Sequence, residues 1–287
     1  MNDYLFIPGK NIKMTAYRVS RSNLGHVFSL VSGLVALIFA GVSASAQAAD
    51  LLDSVKQRGS LKIAVEGSYP PFNFKENGKL TGFEVALATA LSEKRGVKAE
   101  FSTTEWSAML AGLQAGRYDV VVNQVGITGK RRETFDFSEP YTISSPQLIV
   151  RKSETRSFKT LADLKGKKLG LGQGTNFADV AKAAGGIDIR TYPGSPEYLQ
   201  DLALGRIDAA LNDSLLIPYI VKKTNLPLKA GAPVGELEKS GIAFVKGNPK
   251  FKAAIDQALA DMQKDGSFAK LSYQWFDRDV SKPPTAN

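Results

Sequence analysis

The sequence contains no cysteine and a single histidine, His26, among 287 residues. These absences exclude a disulfide framework, a zinc site of the cysteine and histidine type, and the Ser-His-Asp and Cys-His catalytic arrangements from the part of the chain that follows the N-terminal segment. An enzyme built from this chain would have to rely on carboxylates, lysine or tyrosine. We expect no metal site, no cofactor and no catalytic residue.

The sequence also lacks a concentrated basic surface. Its net charge is +9, but clusters such as Lys165-Gly166-Lys167-Lys168 alternate with acidic residues and are not interleaved with aromatic ones. A nucleic-acid-binding protein would show a basic patch or stripe, so no nucleic-acid partner is predicted. Hydrophobic residues make up 43% of the chain, which is enough for one large or two medium-sized domains.

The first 48 residues have the pattern of an export signal. An uncharged stretch, residues 24–49, follows a cationic region and ends in the small residues Ala46-Gln47-Ala48, which predicts a signal peptide over residues 1–48 that is cleaved after Ala48. An uncleaved membrane anchor is the alternative, because the apolar stretch approaches the length that spans a bilayer. Export without disulfides predicts a bacterial periplasm or cell exterior. The cations of the leader are Lys10, Lys13, Arg18 and Arg21.

Beyond residue 60, short apolar strands alternate with amphipathic helices. Residues 61–65 form a typical buried strand, and residues 82–96 predict a helix whose apolar face holds Phe83, Leu87 and Leu91, together with Ala90. Such alternation predicts an α/β fold with largely parallel sheets. The later predicted elements are helix 106–113, strand 118–122, strand 168–171, helix 176–184, strand 187–191, helix 196–204, strand 207–211 and a helix from Ser214.

Two twelve-residue segments repeat one another without gaps. "LQAGRYDVVVNQ" (113–124) and "LALGRIDAALND" (202–213) share residues at five positions, and each describes a helix stopped by glycine, a turn, and a buried strand. Gln124 and Asp213 therefore occupy equivalent places at the carboxyl ends of two strands. Because ligands of open α/β sheets bind outside these ends, two facing lobes would present both residues to one cleft.

Five motifs in order resemble one protein family. "EGSYPPFNF" (66–74), "TGFEVALA" (81–88), "YDVVVNQVGITGKRRETFDFSEPYT" (118–142), "GRIDAALND" (205–213) and "MQKDGSFAKLSYQWF" (262–276) are similar to the periplasmic solute-binding proteins of polar amino-acid ABC importers, family 3. The resemblance runs from about residue 50 to 280. "EGSYPPF", "NQV", "LGQGTN" and "LIPYIVKKTN" most resemble the cystine-binding members.

The resemblance implies the type II periplasmic binding protein fold. Its two lobes, each a mostly parallel sheet flanked by helices, would comprise residues 49–142 with 244–287 and residues 147–239. Two segments, near 143–146 and 240–243, would form a hinge. A double link restricts the lobes to bending, so the ligand would be held by hinge closure.

The same resemblance assigns the two charges that a free amino acid requires. Arg131, in a short helical turn, would hold the ligand carboxylate with its planar guanidinium fork, while Lys130 and Arg132 face solvent. From the residues alone, all three cations can equally be surface charges. Asp213 would hold the ligand ammonium group, although it can instead, or also, cap the predicted helix from Ser214.

Further ligand contacts are implied around these two charges. Gly174, Thr175 and Asn176 lie at the entry of a helix whose free N–H groups would face the carboxylate. Gln124 would line the cleft, and Gly126 departs from the family pattern, because many relatives have a hydroxyl residue there. Either the glycine N–H group suffices or Thr128 compensates.

Two aromatic walls and one carboxylate complete the implied site. Tyr69, stiffened by the adjacent prolines, would pack on the ligand side chain opposite Trp106, which can equally be a core residue because it shares a helical stripe with Met109 and Leu113. Aromatic walls suit a side chain that contains sulfur. Glu66 is a candidate partner for a distal ammonium or amide group of the ligand; the alternative is that it ties its loop together.

The expected function is extracytoplasmic binding of a polar L-amino acid, with L-cystine the leading candidate, and its delivery as a monomer to an ABC permease in the inner membrane. Such a protein is not an enzyme. The alternative is a periplasmic dehydratase-type enzyme on the same scaffold, with Glu66 as its acid or base. A chemosensory receptor domain is a third possibility.

Overall fold

The computed structural model describes residues 49–284. The predicted signal peptide lies outside this range, so cleavage after Ala48 stays a prediction. Within residues 49–284, none of the helices is both long and apolar enough to cross a membrane.

Helices and strands alternate along the chain as the sequence predicts. The helices are α1 (Leu51–Arg58), α2 (Phe83–Lys94), α3 (Trp106–Gln114), α4 (Gly129–Arg132), α5 (Asn176–Ala184), α6 (Ser195–Ala203), α7 (Ile217–Lys223), α8 (Pro249–Lys264) and α9 (Ser267–Phe276), with a 3₁₀ turn at Leu161–Leu164. The strands are β1 (Ser60–Val65), β2 (Ser68–Tyr69), β3 (Asn73–Glu76), β4 (Lys79–Thr81), β5 (Lys98–Thr103), β6 (Val120–Val121), β7 (Phe135–Phe137), β8 (Thr142–Ser144), β9 (Pro146–Arg151), β10 (Lys168–Gly172), β11 (Asp188–Tyr192), β12 (Ala209–Asp213), β13 (Leu228–Pro233), β14 (Glu238–Ser240) and β15 (Ala243–Val245).

Two five-stranded sheets share one topology. The first has the order β5-β1-β6-β15-β7 and the second the order β11-β10-β12-β9-β13. In each sheet the first three strands are parallel, the fourth is antiparallel to both of its neighbours, and the fifth therefore runs with the first three. The prediction of mostly parallel sheets is confirmed.

The internal repeat is also confirmed, down to its register. Val120 pairs with Ile63 in the first sheet, and Ala209, the equivalent residue, pairs with Leu169 in the second. The turns match as well, because the Asp119 carboxylate accepts from the Lys62 backbone N–H group (2.8 Å) and the Asp208 carboxylate accepts from that of Lys168 (2.9 Å). The two segments are therefore the same structural unit used twice.

A two-stranded ribbon connects the parts of the chain that carry the two sheets. Strands β8 and β14 pair antiparallel, with Ser144 opposite Glu238 and Thr142 opposite Ser240. This ribbon overlaps the two predicted hinge segments, 143–146 and 240–243. Apart from one-residue overlaps at Pro146 and Ala243, the strands of each sheet fall within one predicted lobe; the lobe boundaries themselves stay predictions.

Several predicted boundaries differ from the observed ones by one to three residues; the strand predicted over 207–211, for instance, is observed at Ala209–Asp213. The helix predicted from Ser214 begins at Ile217, because the Asp213 carboxylate accepts from the Leu215 backbone N–H group (2.8 Å) and holds a turn there. The strand predicted over 118–122 is reduced to Val120–Val121, although the hydrogen bond from the Val122 N–H group to the Ala64 carbonyl (3.1 Å) continues the ladder.

The C-terminal helices fix the position of α2, which contributes to the site described below. Phe83, at the first position of α2, contacts the Phe268 and Phe276 rings of α9, with centroid distances of 5.9 and 5.1 Å. Gly82 precedes it at φ 122°, where a side chain would lie 2.3 Å from the Phe72 carbonyl oxygen. Only glycine allows so close an approach, and it packs the start of α2 against the loop that carries Tyr69.

Candidate ligand-binding cleft

A cavity lies where strand carboxyl ends of both sheets meet. It is lined by six of the ten predicted site residues, namely Glu66, Tyr69, Trp106, Gln124, Thr175 and Asn176. Glu66 follows β1, Gln124 follows β6 and Thr175 follows β10, so the cavity has the position that ligand sites take in open α/β sheets.

The other four predicted residues lie beside the cavity rather than on its wall. The Arg131 guanidinium is 5.1 Å from the centroid of the Trp106 ring, and a side chain on Gly126 would lie 3.4 Å from it. A side chain on Gly174 would lie 4.0 Å from Trp106 Nε1. Asp213 is buried directly behind Asn212, whose side chain reaches the cavity. The ligand contacts of all ten residues stay predictions.

Arg131 is held in a defined orientation. The Thr128 hydroxyl caps α4 by accepting from the Arg131 backbone N–H group (3.2 Å), and Arg131 Nη1 donates to the Gly126 carbonyl oxygen (3.0 Å). Burial lowers the pKa of Arg131, and only partial compensation comes from Glu238 and Asp179. Within residues 49–284, no carboxylate oxygen lies within 4.0 Å of an Arg131 guanidinium nitrogen. A desolvated guanidinium favours a direct anionic partner, and Arg131 is therefore free to bind one. Its neighbours on α4, Lys130 and Arg132, are exposed, as predicted.

Asp213 is a buried carboxylate with two hydrogen-bond donors. Ser144 Oγ donates to one oxygen (2.6 Å) and the Leu215 N–H group to the other (2.8 Å). The carboxylate therefore stabilises the turn before α7, where the sequence predicted a helix cap. Burial raises the pKa of Asp213 from 3.8 to about 6, against the effect of these donors and of Arg278. Each carboxylate oxygen has a second lone pair, which leaves Asp213 able to accept from an ammonium group as well.

Gln124 has an unusual backbone conformation at the centre of the site. Its φ of 47° is uncommon for a residue other than glycine. Its N–H group donates to Glu84 Oε1 (2.6 Å) and to the Tyr141 hydroxyl (3.1 Å), while its side-chain oxygen accepts from Thr142 (2.8 Å). Gln124 Nε2 is buried and has no hydrogen-bond partner within residues 49–284. Backbone strain at such a position is typical of a functional site, and the residue with the unpartnered amide lines the cavity.

Glu84 supports this conformation from the first turn of α2. The side chain is 0% exposed. Besides Gln124, its carboxylate accepts from the Tyr141 hydroxyl and from Asn73 Nδ2 (2.6 Å). Burial raises the pKa of Glu84 from 4.5 to about 7, despite these donors.

The raised pKa of Glu84 predicts a stability that falls with rising pH. Between pH 4.5 and 7 the folded chain keeps a proton that the unfolded chain has released, so the unfolding free energy decreases through this window and levels off above it. The expected decrease due to Glu84 is about 3 kcal/mol. Urea unfolding of the wild type and of Glu84→Gln at several pH values measures it. A stability difference between the two that does not change with pH would contradict the assignment.

Glu66 ties its loop and borders the cavity, while its contact with a ligand stays a prediction. Its backbone N–H group donates to Asn123 Oδ1 (2.8 Å), which ties the loop, and its carboxylate lines the cavity. Burial raises the pKa of Glu66 from 4.5 to about 7, with Glu197 and Glu105 adding to the rise and the hydrogen bond from Asn123 opposing it. Gly194 lets this carboxylate approach the start of α6, because a side chain there would lie 3.1 Å from Glu66 Oε1.

The two aromatic walls differ in their surroundings. Trp106 is 8% exposed and packs in a hydrophobic cluster with Met109 and Leu113, yet its ring also lines the cavity, so the core and wall interpretations both hold. Tyr69 stacks on Phe72, with ring centroids 4.8 Å apart. Both rings are therefore rigid apolar surfaces on the side of the first sheet.

The N-terminus of helix α5 borders the cavity on the side of the second sheet. Thr175, at the predicted entry of this helix, is its N-cap: its hydroxyl accepts from the Ala178 N–H group (3.3 Å) and donates to the Gly172 carbonyl (2.9 Å). Asn176 Nδ2 donates to Glu238 of the β8–β14 ribbon (2.6 Å). The first N–H groups of a helix have no partners within it, so this end can hold an anion.

Sequence reasoning missed several residues of the cavity wall. Asn123 and Asn212 are shared by the repeat, but only the residue that follows each was taken into the site. Gly194 and Ser195 come directly after β11, where the rule about strand carboxyl ends applies equally. The unpredicted lining residues are Asn123, Gly172, Phe177, Pro193, Gly194, Ser195, Tyr198 and Asn212.

The cavity is small for a ligand. Its volume is ≈ 50 Å³, whereas pockets for small molecules commonly measure about 300–1,000 Å³. A ligand the size of an amino acid can therefore enter only when the two sides separate.

Two sheets of equal topology, a connecting ribbon and a polar cleft at their strand ends define a bilobal solute-binding protein. The chain belongs to the bacterial extracellular solute-binding proteins, family 3, whose family model matches residues 61–278. It is 45% identical over 257 residues to the L-cystine-binding protein TcyJ of Escherichia coli K12, an alignment that covers 88% of this chain and 97% of the relative.

Two solved structures show the type II periplasmic binding protein fold that the resemblance implied. An ancestral arginine-binding protein bound to arginine has 36% identity and a TM-score of 0.73, covering 76% of this chain and 99% of its own. The L-cystine solute receptor of Neisseria gonorrhoeae, in the unliganded open conformation, has 38% identity and a TM-score of 0.56. The match covers 82% of this chain and 100% of the receptor chain. At similar identity, the present structure superposes better on the arginine-bound protein, in agreement with its small cavity.

Proposed function

We propose that the chain binds a polar L-amino acid outside the cytoplasm, with L-cystine as the preferred ligand, and delivers it to an ABC permease. The observation that carries the proposal is Arg131, a partly buried guanidinium that has no direct ion pair within the described residues. It lies beside a cavity that is lined by both polar and aromatic residues. Family membership and the cystine-binding relatives support the ligand class.

The site matches the charges of a free amino acid. Arg131, the N-terminus of α5 and the free amide of Gln124 supply donors for the α-carboxylate, and Asp213 supplies an acceptor for the α-ammonium group. L-Cystine carries a second ammonium group at its far end, for which the Glu66 carboxylate is the partner. The Trp106 and Tyr69 rings flank the sulfur-containing middle of such a ligand.

The location and the partner of the protein are inferred from its family and from its predicted signal peptide. Membership in a family of extracellular solute-binding proteins and the signal peptide predicted over residues 1–48 support a periplasmic location for the mature chain. There it would act as a monomer and dock on the permease in the inner membrane. It would carry out no chemistry on its ligand.

A thermal-shift panel of amino acids tests this function. A ligand that binds only the folded state stabilises it by about 2.7 kcal/mol at a hundred times its Kd, which corresponds to a Tm rise of roughly 5–10 °C for a chain of this size. L-Cystine is expected to give the largest rise and D-cystine none. A larger rise with L-arginine would contradict the ligand assignment, and no rise with any amino acid would contradict the function.

The raised pKa of Glu66 favours one second candidate, a dehydratase-type enzyme, because a carboxyl group that titrates near neutral pH can act as an acid. Chromatography after prolonged incubation separates the two. Recovery of every amino acid unchanged supports a binding protein, and turnover that disappears in Glu66→Gln supports the enzyme.

A further inference from the structure

The Tyr69 hydroxyl joins the two sides of the cleft directly. Tyr69 lies in β2, next to the first sheet, and donates through its hydroxyl to Asn212 Oδ1 (2.6 Å), in β12 of the second sheet. The two residues are each 8% exposed. The contact is therefore a buried hydrogen bond between residues that belong to different predicted lobes.

The acceptor is fixed by its own hydrogen bonds. Asn212 Nδ2 donates to the hydroxyl of Tyr198, a residue of α6 that is 1% exposed, and Asn212 Oδ1 also accepts from the Asp213 backbone N–H group (2.6 Å). The amide therefore presents its oxygen, and not its nitrogen, to Tyr69. The network ends at the residue proposed to bind the ligand ammonium group.

We propose that the Tyr69 hydroxyl is a closure latch: it bonds to Asn212 when the lobes close and is released to water when they open. The proposal rests on the proposed hinged function and gives Tyr69 a positioning role in addition to its ring contact with the ligand. Because water replaces the partner in the open form, the net gain of such a bond is modest. A modest gain suits a latch that must open again.

The conservative variant Tyr69→Phe keeps the ring and removes only the hydroxyl. With L-cystine as the probe, calorimetry is expected to show binding about 3- to 10-fold weaker. Stopped-flow tryptophan fluorescence should place the loss mainly in a faster dissociation rate, since the latch stabilises the closed form that holds the ligand. Tyr273→Phe, at a tyrosine that is 57% exposed, is the matched control. A Tyr69→Phe protein with wild-type affinity and dissociation rate would overturn the latch.

A distance measurement tests the latch independently of any ligand. Since the chain has no cysteine, Gln114→Cys and Lys182→Cys, both at exposed helical positions, accept spin labels on either side of the cleft. Without ligand, Tyr69→Phe is expected to populate longer label distances than the same labelled chain with Tyr69. Identical distributions would overturn the latch. If no amino acid binds the wild type, the proposed function fails while this comparison still decides the latch.

Discussion

Arg131→Ala is expected to abolish measurable amino-acid binding while the protein stays folded. Removing one partner of a buried ion pair costs about 3–5 kcal/mol, and micromolar binding corresponds to about −8 kcal/mol. The affinity should therefore fall about 100- to 5,000-fold, to a Kd of roughly 0.1 mM or weaker. Isothermal titration with L-cystine measures the change.

The fold should tolerate this substitution, because the Arg131 side chain makes one hydrogen bond, to the Gly126 carbonyl, and one ring contact, with Trp106. Lys130→Ala is the matched control: it removes the same charge one residue earlier on α4, at an exposed position, and should leave the affinity unchanged. If the two variants bind equally well, Arg131 is a surface charge and the carboxylate is held elsewhere.

Asp213→Asn is expected to weaken binding by about 100-fold. The amide is isosteric and can still accept from the Leu215 N–H group, so the turn after β12 is preserved. It lacks the charge for the ligand ammonium group, however, and the loss of one partner of a buried charged pair costs about 2–5 kcal/mol. Asp188→Asn, at the exposed start of β11, is the control that changes the same group without touching the cleft.

The pH dependence separates a lost charge from a general disturbance. The pKa of Glu66 is raised to about 7 and that of Asp213 to about 6, so the wild-type affinity should fall as the pH drops through 7 and fall further below about 6, where the additional fall is the component due to Asp213. Asp213→Asn should remove this component, leaving only the contribution of Glu66. A variant that is weaker but keeps the full wild-type pH profile would show that Asp213 does not contact the ammonium group.

The fold could be predicted because its signals are local. The alternation of apolar strands with amphipathic helices placed the five helices that it predicted to within three residues, and a glycine such as Gly96 marked a helix end. The repeat at 113–124 and 202–213 even identified the equivalent strands. These patterns depend on neighbours in the sequence, and the structure preserves them.

Several other residues that shape the site could not be predicted, because their environment is made by distant segments. Glu84 lies on a helix where a carboxylate would normally face water, yet it is buried by donors from Asn73, Gln124 and Tyr141. Asn212 accepts a hydrogen bond from Tyr69, which lies 143 residues earlier in the sequence. Such pairs become visible only after both sheets are placed.

A crystal structure of the L-cystine complex tests the central claim most directly. The account predicts the α-carboxylate of one end within about 3.2 Å of the Arg131 guanidinium, and the α-ammonium group of the same end at hydrogen-bonding distance from Asp213. A ligand bound with both of these side chains more than about 6 Å away, beyond direct ionic contact, would contradict it.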